Sequence, residues 1–396
     1  MKKLTVYLCL FAEKGRQFEL WYNNLGVSLQ EMGHTVLLPQ GIHFVAAIHQ
    51  ANSLMWNKKQ REQLSEEILQ DFKKQAKLHK KIDLFLAYLY PEQFSPHLFT
   101  EIENLGVPTV YFFCDNFQYK HILAAEYAKY PTLNWVPELE AIPFFEKSNS
   151  KYIWLPMAAN PHLCKPMQTD EKLDMSFVGT KNSYRRDLLS ILLHQEFSFR
   201  VYGHGWAVES EAGASIPVQE IEGCPNDILF RTQSYLKFKY VGLKNKLLKP
   251  YIKKNIQMFA NLGSEYDTAF QQIAAVKYYA LADIYAHSKI SIGINEQINI
   301  GEPNPLIIYS KLRDFETTMS GACLLTQATP EQPHLFEIGT DIEVYTSKEE
   351  LLEKAKELLK SPTKRLAMRA KAREKSLALH TWQHRFEKLF KALNLV

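Results

Sequence analysis

Strand-like and helix-like stretches alternate along this chain, stop at a proline-bearing junction, and then begin to alternate again. That rhythm constrains the fold more than any other feature. Residues 4–10 form a nearly continuous apolar run, as expected of a strand covered on both faces. Residues 18–32 have helical periodicity, Gly33 supplies a stop, and 35–38 is strand-like again. A long polar helix over 58–80 leads to an apolar run at 82–89. A helix over 94–105 ends at Gly106, and Pro108 precedes a strand at 109–113. Shorter strands follow at 134–136 and 152–155. Strand–helix–strand units with short connections predict right-handed crossovers and a parallel, doubly wound sheet.

The stretch from Leu155-Pro156 to Lys165-Pro166, followed by polar residues 168–172, reads as a linker. Beyond it strands are expected at 175–178, Phe199–Tyr202, 290–294 and 322–326, with helices at 186–194, 276–287 and 312–320. The economical fold is α/β, with two Rossmann-like halves, 1–166 and 167–378. The closing segment 379–396 is expected to be a helix crossing back to the first half. Helix starts are well marked near the end. Ser347-Lys348-Glu349-Glu350 fits a reciprocal capping box, Ser361-Pro362 an N-cap with proline at the first helical position, and Thr381 a last cap.

Composition excludes several classes. With 46% hydrophobic and 12% aromatic residues among 396, the chain can bury substantial cores. A net charge of +4 is too mild for a nucleic-acid binder. Five scattered cysteines make no CxxC pair and thirteen histidines make no HExxH, so no metal is expected, and buried free thiols fit a reducing cytoplasm. Met1-Lys2-Lys3 and the apolar residues after it resemble a signal peptide. However, Glu13-Lys14-Gly15-Arg16 stands where a cleavage site would be. No run approaches the ~20 apolar residues of a membrane span, so a soluble, cytoplasmic protein is expected. Between Trp206 and Ile273 the alternation loosens into an insertion, about 207–272. Residues 228–264 hold no acid, and Arg231, Lys237, Lys239, Lys244, Lys246, Lys249, Lys253 and Lys254 interleave with apolar residues. Residues 231–254 are therefore a candidate for peripheral contact with the inner face of a membrane or with an anionic acceptor. A solvated helix pair with buried apolar faces is the competing reading.

Three constellations can carry chemistry. Asp115 follows the strand at 109–113, at a carboxyl end where open α/β sheets bind ligands. It suits either a general base or a helix N-cap. Ser176-Phe177-Val178-Gly179-Thr180 opens the second half at the equivalent place. There a glycine admits a ligand, a helix start attracts phosphate, and Lys181, Arg185 and Arg186 supply cations. Tyr202-Gly203-His204-Gly205 lacks the third glycine of a dinucleotide fingerprint.

The third is Leu312-Arg313-Asp314-Phe315-Glu316-Thr317-Thr318-Met319-Ser320-Gly321-Ala322-Cys323-Leu324-Leu325. It resembles the donor-site helix of GT-B glycosyltransferases, with an acid, a glycine five residues on, and an apolar strand. The spore-maturation CgeB-like glycosyltransferases are closer still. They share its Arg-x-Phe-Glu and the later Leu335-Phe336-Glu337-Ile338-Gly339, Glu343-Val344-Tyr345, Glu349-Glu350-Leu351-Leu352 and His380-Thr381-Trp382-Gln383-His384-Arg385. Gly33-His34-Thr35-Val36, Leu155-Pro156 with Asn160-Pro161, and Phe177-Val178-Gly179 also look like parts of that fold.

The resemblance implies a GT-B architecture, two Rossmann-like domains whose parallel sheets face a central cleft. It further implies glycosyl transfer from a UDP- or GDP-linked sugar, without metal or other cofactor, in bacterial surface glycan, glycolipid or glycoprotein assembly. Glu316 would bind the donor ribose and Arg313 and Arg185 its diphosphate, with Gly179, Thr180 and Gly321 shaping the site. Asp115 would be the base if the reaction inverts. The acceptor would be a saccharide, a lipid-linked glycan or a protein. Many GT-B enzymes carry a further glutamate eight residues before the ribose-binding one, where this chain has Ile308. A nucleotide-sugar epimerase of similar fold and a catalytically degenerate binding or scaffold protein are the alternatives.

Overall fold

The computed structural model describes residues 2–12, 16–44, 58–91, 93–117, 126–168, 170–203, 205–206, 253–255, 257–258, 272–273, 281–299 and 304–396. Most of the basic insertion, including nearly all of 231–254, lies outside them, as do 276–280, His204 and Cys224. The described residues fall into two compact units. The first lies within Met1–Pro156 and Trp382–Val396, the second within Met157–Glu222 and Asn245–Thr381.

In the first unit the strands are β1 (Thr5–Leu10), β2 (Thr35–Leu37), β3 (Leu84–Tyr88), β4 (Thr109–Phe112), β5 (Leu133–Val136) and β6 (Tyr152–Trp154). They form one sheet in the order β2-β1-β3-β4-β5-β6, and every pairing is parallel. Every residue of β3, β4 and β5 is buried, which is why those strands read as continuous apolar runs rather than alternating ones.

The helix expected over 18–32 is interrupted. It runs as α1 (Arg16–Trp21), a π-turn at Tyr22–Gly26 and α2 (Val27–Glu31). Within the π-turn the Asn24 amide donates to the Leu20 carbonyl at 2.8 Å. The Tyr22 ring folds over Gly26 so closely that a Cβ there would lie 2.6 Å from it. Gly33, with φ of +85°, ends α2 as expected. Helices α3 (Lys58–His79), α4 (His97–Glu103) and α5 (Ile142–Lys147) complete the alternation.

The second unit repeats the plan. Its strands are β7 (Leu173–Val178), β8 (Phe199–Tyr202), β9 (Gln272–Ile273), β10 (Ser288–Gly293), β13 (Leu324–Gln327) and β14 (Glu343–Tyr345), in the parallel order β14-β13-β10-β7-β8-β9. A separate antiparallel hairpin, β11 (Glu296–Ile298) and β12 (Leu306–Ile308), follows β10 directly and was not legible in the sequence. The helices are α6 (Ser183–Leu193), α7 (Leu281–Ala286), α8 (Leu312–Met319), α9 (Gln332–Leu335), α10 (Lys348–Lys360) and α11 (Pro362–Leu379). Met175, Phe177, Leu189, Ile290 and Leu325 from the sheet and α6 pack with Leu351 and Leu358 of α10.

The caps are real but differ in detail. Ser347 Oγ accepts the Glu350 amide at 3.1 Å, and Ser361 Oγ the Lys364 amide at 3.4 Å. The box at Ser347 is not the reciprocal one expected. The Glu350 carboxylate takes the Thr346 amide and hydroxyl instead, one residue earlier, and its other oxygen pairs with Lys354 at 2.9 Å. The last helix, α12 (Trp382–Ala392), belongs to the first unit. Trp382 is fully buried beside Trp21, Phe112 and Trp135 and donates to Asn24 Oδ1 at 2.7 Å. Arg385 donates to the Pro156 carbonyl at 2.7 Å, and burial pulls its pKa down to about 10.

Candidate functional site

Chain direction picks out one edge of the second sheet. From β7 the chain passes by α6 to β8 on one side, whereas β10 lies against β7 on the other. The crevice at the carboxyl ends of β7 and β10 is therefore a topological switch point, where open α/β sheets bind ligands. The residues that follow those two strands build a linked polar group there.

Gly179 ends β7 where the loops after β7 and β8 touch. A Cβ on Gly203, whose φ is +143°, would lie 2.2 Å from the Gly179 carbonyl oxygen. Gly179 itself has no room for a side chain, with the Phe177 ring at 2.7 Å and Arg185 Nη1 at 3.0 Å from a built Cβ. Its amide donates to the Tyr202 carbonyl and its carbonyl accepts the Trp206 indole N–H, at 2.8 and 2.7 Å. The glycine thus shapes the loop through close approach, and its own amide is already committed. Asn182 caps α6 by accepting the Arg185 amide at 2.8 Å.

Arg185 is held from several sides. Nη1 donates to the Thr180 carbonyl at 2.8 Å, the guanidinium lies over the Phe177 ring at 5.7 Å, and Nε stands 2.9 Å from Glu296 Oε1. Asn182 Nδ2 donates to the same Glu296 oxygen at 2.7 Å. Glu296, the first residue of the hairpin, is a site residue that sequence reasoning missed. Its signal was weak, an acid just beyond a strand whose sequel has no regular pattern.

The second element is α8, which starts near the carboxyl edge and ends at Gly321. Arg313 Nη1 donates to Glu316 Oε2 at 2.6 Å; the arginine side chain is 38% exposed and the glutamate 0%. The pair is therefore not an exposed surface bridge, since its acid is sealed behind its base. The Tyr285 hydroxyl beside them is pushed up to about 12, mainly by burial, with Arg313 pulling down and Glu316 pushing up. Gly321 lies at the far end of α8, ~1.5 Å per residue away. Its φ is +70° and its carbonyl accepts Arg369 Nε at 2.7 Å. That places it at the amino end of β13, where its left-handed backbone stops the helix.

Asp314 anchors α8 to the sheet. Its carboxylate accepts Asn295 Nδ2 at 2.9 Å, Thr326 Oγ1 at 3.0 Å and Gln332 Nε2 at 3.3 Å. Burial raises its pKa to about 6 against the pull of these hydrogen bonds. Asn295 and Gln332 both donate to the Gln327 carbonyl, and Gln327 Nε2 reaches the Tyr184 hydroxyl at 2.6 Å. This network ties α6, β10, β13, α8 and α9 into one support beneath the site.

Asp115 lies in the first unit, half-buried after the carboxyl end of β4. It is not at that sheet's switch point, which falls between β1 and β3. Its neighbour Asn116 donates its amide and its side chain to the two oxygens of Glu138, at 3.2 and 2.5 Å. Burial raises the Glu138 carboxyl to about 8, with Asp115 adding to the rise and the Asn116 hydrogen bonds opposing it. Among the described residues no group of three or more His, Cys, Asp or Glu is placed to hold a metal ion. Cys9, Cys114, Cys164 and Cys323 are buried. No helix among them is long and apolar enough to cross a membrane.

Comparison with known proteins agrees with this architecture. A family model described as glycosyl transferase-like matches residues 244–391, less than half of the chain. No curated protein matches. Among solved structures, sucrose-phosphate synthase from Thermosynechococcus elongatus superposes with a TM-score of 0.59 at 10% identity, over 99% of this chain and 100% of that one. A glycosyltransferase from Rickettsia africae ESF-5 gives 0.58 at 11%, over 99% and 98%. Anabaena HepE, solved with UDP-glucose, gives 0.57 at 12%, over 99% and 100%. At such identities the likeness defines the fold. The chain has the GT-B fold, with two parallel-sheet α/β units of Rossmann type.

Proposed function

We propose that the protein transfers a glycosyl group from a nucleoside-diphosphate sugar to an acceptor hydroxyl, and that the second unit holds the donor. The observation that carries this reading is the Arg185 group. A guanidinium, a capped helix start and a glycine loop stand together at the β7/β10 switch point, an arrangement suited to a diphosphate. Arg185 and Arg313 would meet the charge that builds on the departing diphosphate. Arg313, the more exposed partner of its pair, would swing toward the phosphates and open Glu316 to the ribose hydroxyls. Asp115 is our candidate base for an inverting reaction. The HepE complexes with UDP and UDP-glucose make a uridine donor the first to test.

The finer reading is a CgeB-like enzyme without a metal requirement, active on a saccharide, lipid-linked or protein acceptor in surface glycan assembly. It rests on the sequence motifs around Arg313 and Glu316. A thermal-shift panel of UDP, GDP and their sugar derivatives on the purified protein tests donor use. A ten-degree-scale shift with one base is not required; any saturable rise that the Arg185→Ala variant loses supports the site. Donor turnover without acceptor would indicate an epimerase, and no shift with any nucleotide would leave a binding or scaffold role. Activity that survives a chelator would support metal independence.

A further inference from the structure

Glu296 is a carboxylate at a place where a bare phosphate site would bind better without one, since its charge repels the phosphate oxygens. The side chain is 2% exposed. One oxygen, Oε1, serves both Arg185 and Asn182, while Oε2 is buried with no hydrogen-bond partner among the described residues. The residue across the hairpin from it is Ile308, whose side chain has nothing to donate. A buried carboxylate oxygen left without a donor is costly, so its presence at the carboxyl edge of β10 points to a donor that arrives with a ligand. A diphosphate has only acceptor oxygens to offer. A glycosyl ring attached to it carries hydroxyls, which carboxylates accept.

We propose that Glu296 reads the sugar of the donor: Oε2 accepts a hydrogen bond from a ring hydroxyl of the hexose whose diphosphate is held by Arg185. This rests on the donor-site reading above. Access follows from the way the arginine is held. Nε approaches Oε1 at 2.9 Å without an aligned N–H, so little hydrogen bonding is lost when the guanidinium turns to a phosphate and uncovers the carboxylate.

The test is isothermal titration of the full chain with UDP against UDP-glucose, and GDP against GDP-mannose. Glu296→Gln keeps the size of the side chain and an acceptor for Asn182 but removes the charge. Free diphosphate should bind the variant as tightly as the parent or more tightly. The sugar nucleotide should bind about tenfold more weakly, the loss of one hydrogen bond to a charged acceptor. A purely structural role would move both affinities the same way, and such parallel shifts, or an unchanged ratio, overturn the proposal. If Glu296→Gln does not fold, the parent protein is titrated with the 2-, 3-, 4- and 6-deoxy forms of the bound sugar nucleotide. One form should lose about tenfold; four affinities within twofold of the parent sugar overturn the assignment. Parent protein that binds neither diphosphate removes the donor-site reading and this proposal with it. Diphosphate binding with an unchanged ratio removes this proposal alone.

Discussion

Individual acids in this protein are governed by where the fold puts them, and Glu138 shows how that reaches solution behaviour. Because burial lifts its carboxyl from 4.5 to about 8, the folded chain holds that proton more tightly than the unfolded chain does. Its contribution to stability is complete below about pH 4.5 and is lost as pH rises toward 8. Glu138→Gln should therefore unfold with a flatter pH dependence than the parent between pH 5 and 8. Denaturant melts at several pH values measure this, and parallel curves would refute it. Glu316 makes a second case. If it binds the ribose, Glu316→Gln should bind UDP about tenfold more weakly, while its affinity for 2′-deoxy-UDP falls less. Equal losses on both nucleotides in calorimetry would remove the ribose role. Glu316 and Arg313 were picked out by the resemblance of their segment to a glycosyltransferase donor-site helix, and as i and i+3 on that helix they are neighbours. That the acid is sealed and the base open was not, since burial depends on α7 and the rest of the unit.

At the scale of elements, local chemistry and tertiary contact divide the work. The Ser347 cap acts within one turn, so Ser347→Ala should cost about 1 kcal/mol in a denaturant melt, with donor binding unchanged. The loops after β7 and β8 behave differently. Gly203→Ala must put a methyl 2.2 Å from a backbone oxygen at φ of +143°, and neither side can yield cheaply. It should destabilise the second unit by about 2 kcal/mol or more and weaken nucleotide binding by displacing Gly179, as calorimetry and melts would show. The strands and long helices were legible because their apolar periods are strong. The hairpin β11–β12 was not. Its strands are three residues each, and Pro303 and Pro305 in the connecting sequence mask any alternation. The π-turn at Tyr22–Gly26 was also invisible, because one extra residue hardly disturbs a helical pattern; within it Asn24 accepts the Trp382 indole N–H, a contact 358 residues away in sequence.

For the molecule as a whole, two cooperative units with separate cores should respond separately to ligand. Saturating nucleoside diphosphate at 100 times Kd should stabilise the unit that binds it by about 2.7 kcal/mol. Scanning calorimetry should then show one transition move while the other stays, and Glu138→Gln identifies the first unit's transition by its pH response. Two transitions rising together would argue against donor binding by the second unit alone. The strand–helix alternation, repeated after a proline-bearing junction, determined by itself that this chain makes two parallel α/β sheets. Period and stop signals are local, and a parallel sheet is what such units can bury. The motif around Arg313 and Glu316 likewise singled out their helix, by resemblance rather than by local physics. Only the tertiary structure decided which groups meet at the β7/β10 edge. Glu296 lies 111 residues beyond Arg185 in the numbering, and their 2.9 Å approach comes from strand order, which no local pattern encodes.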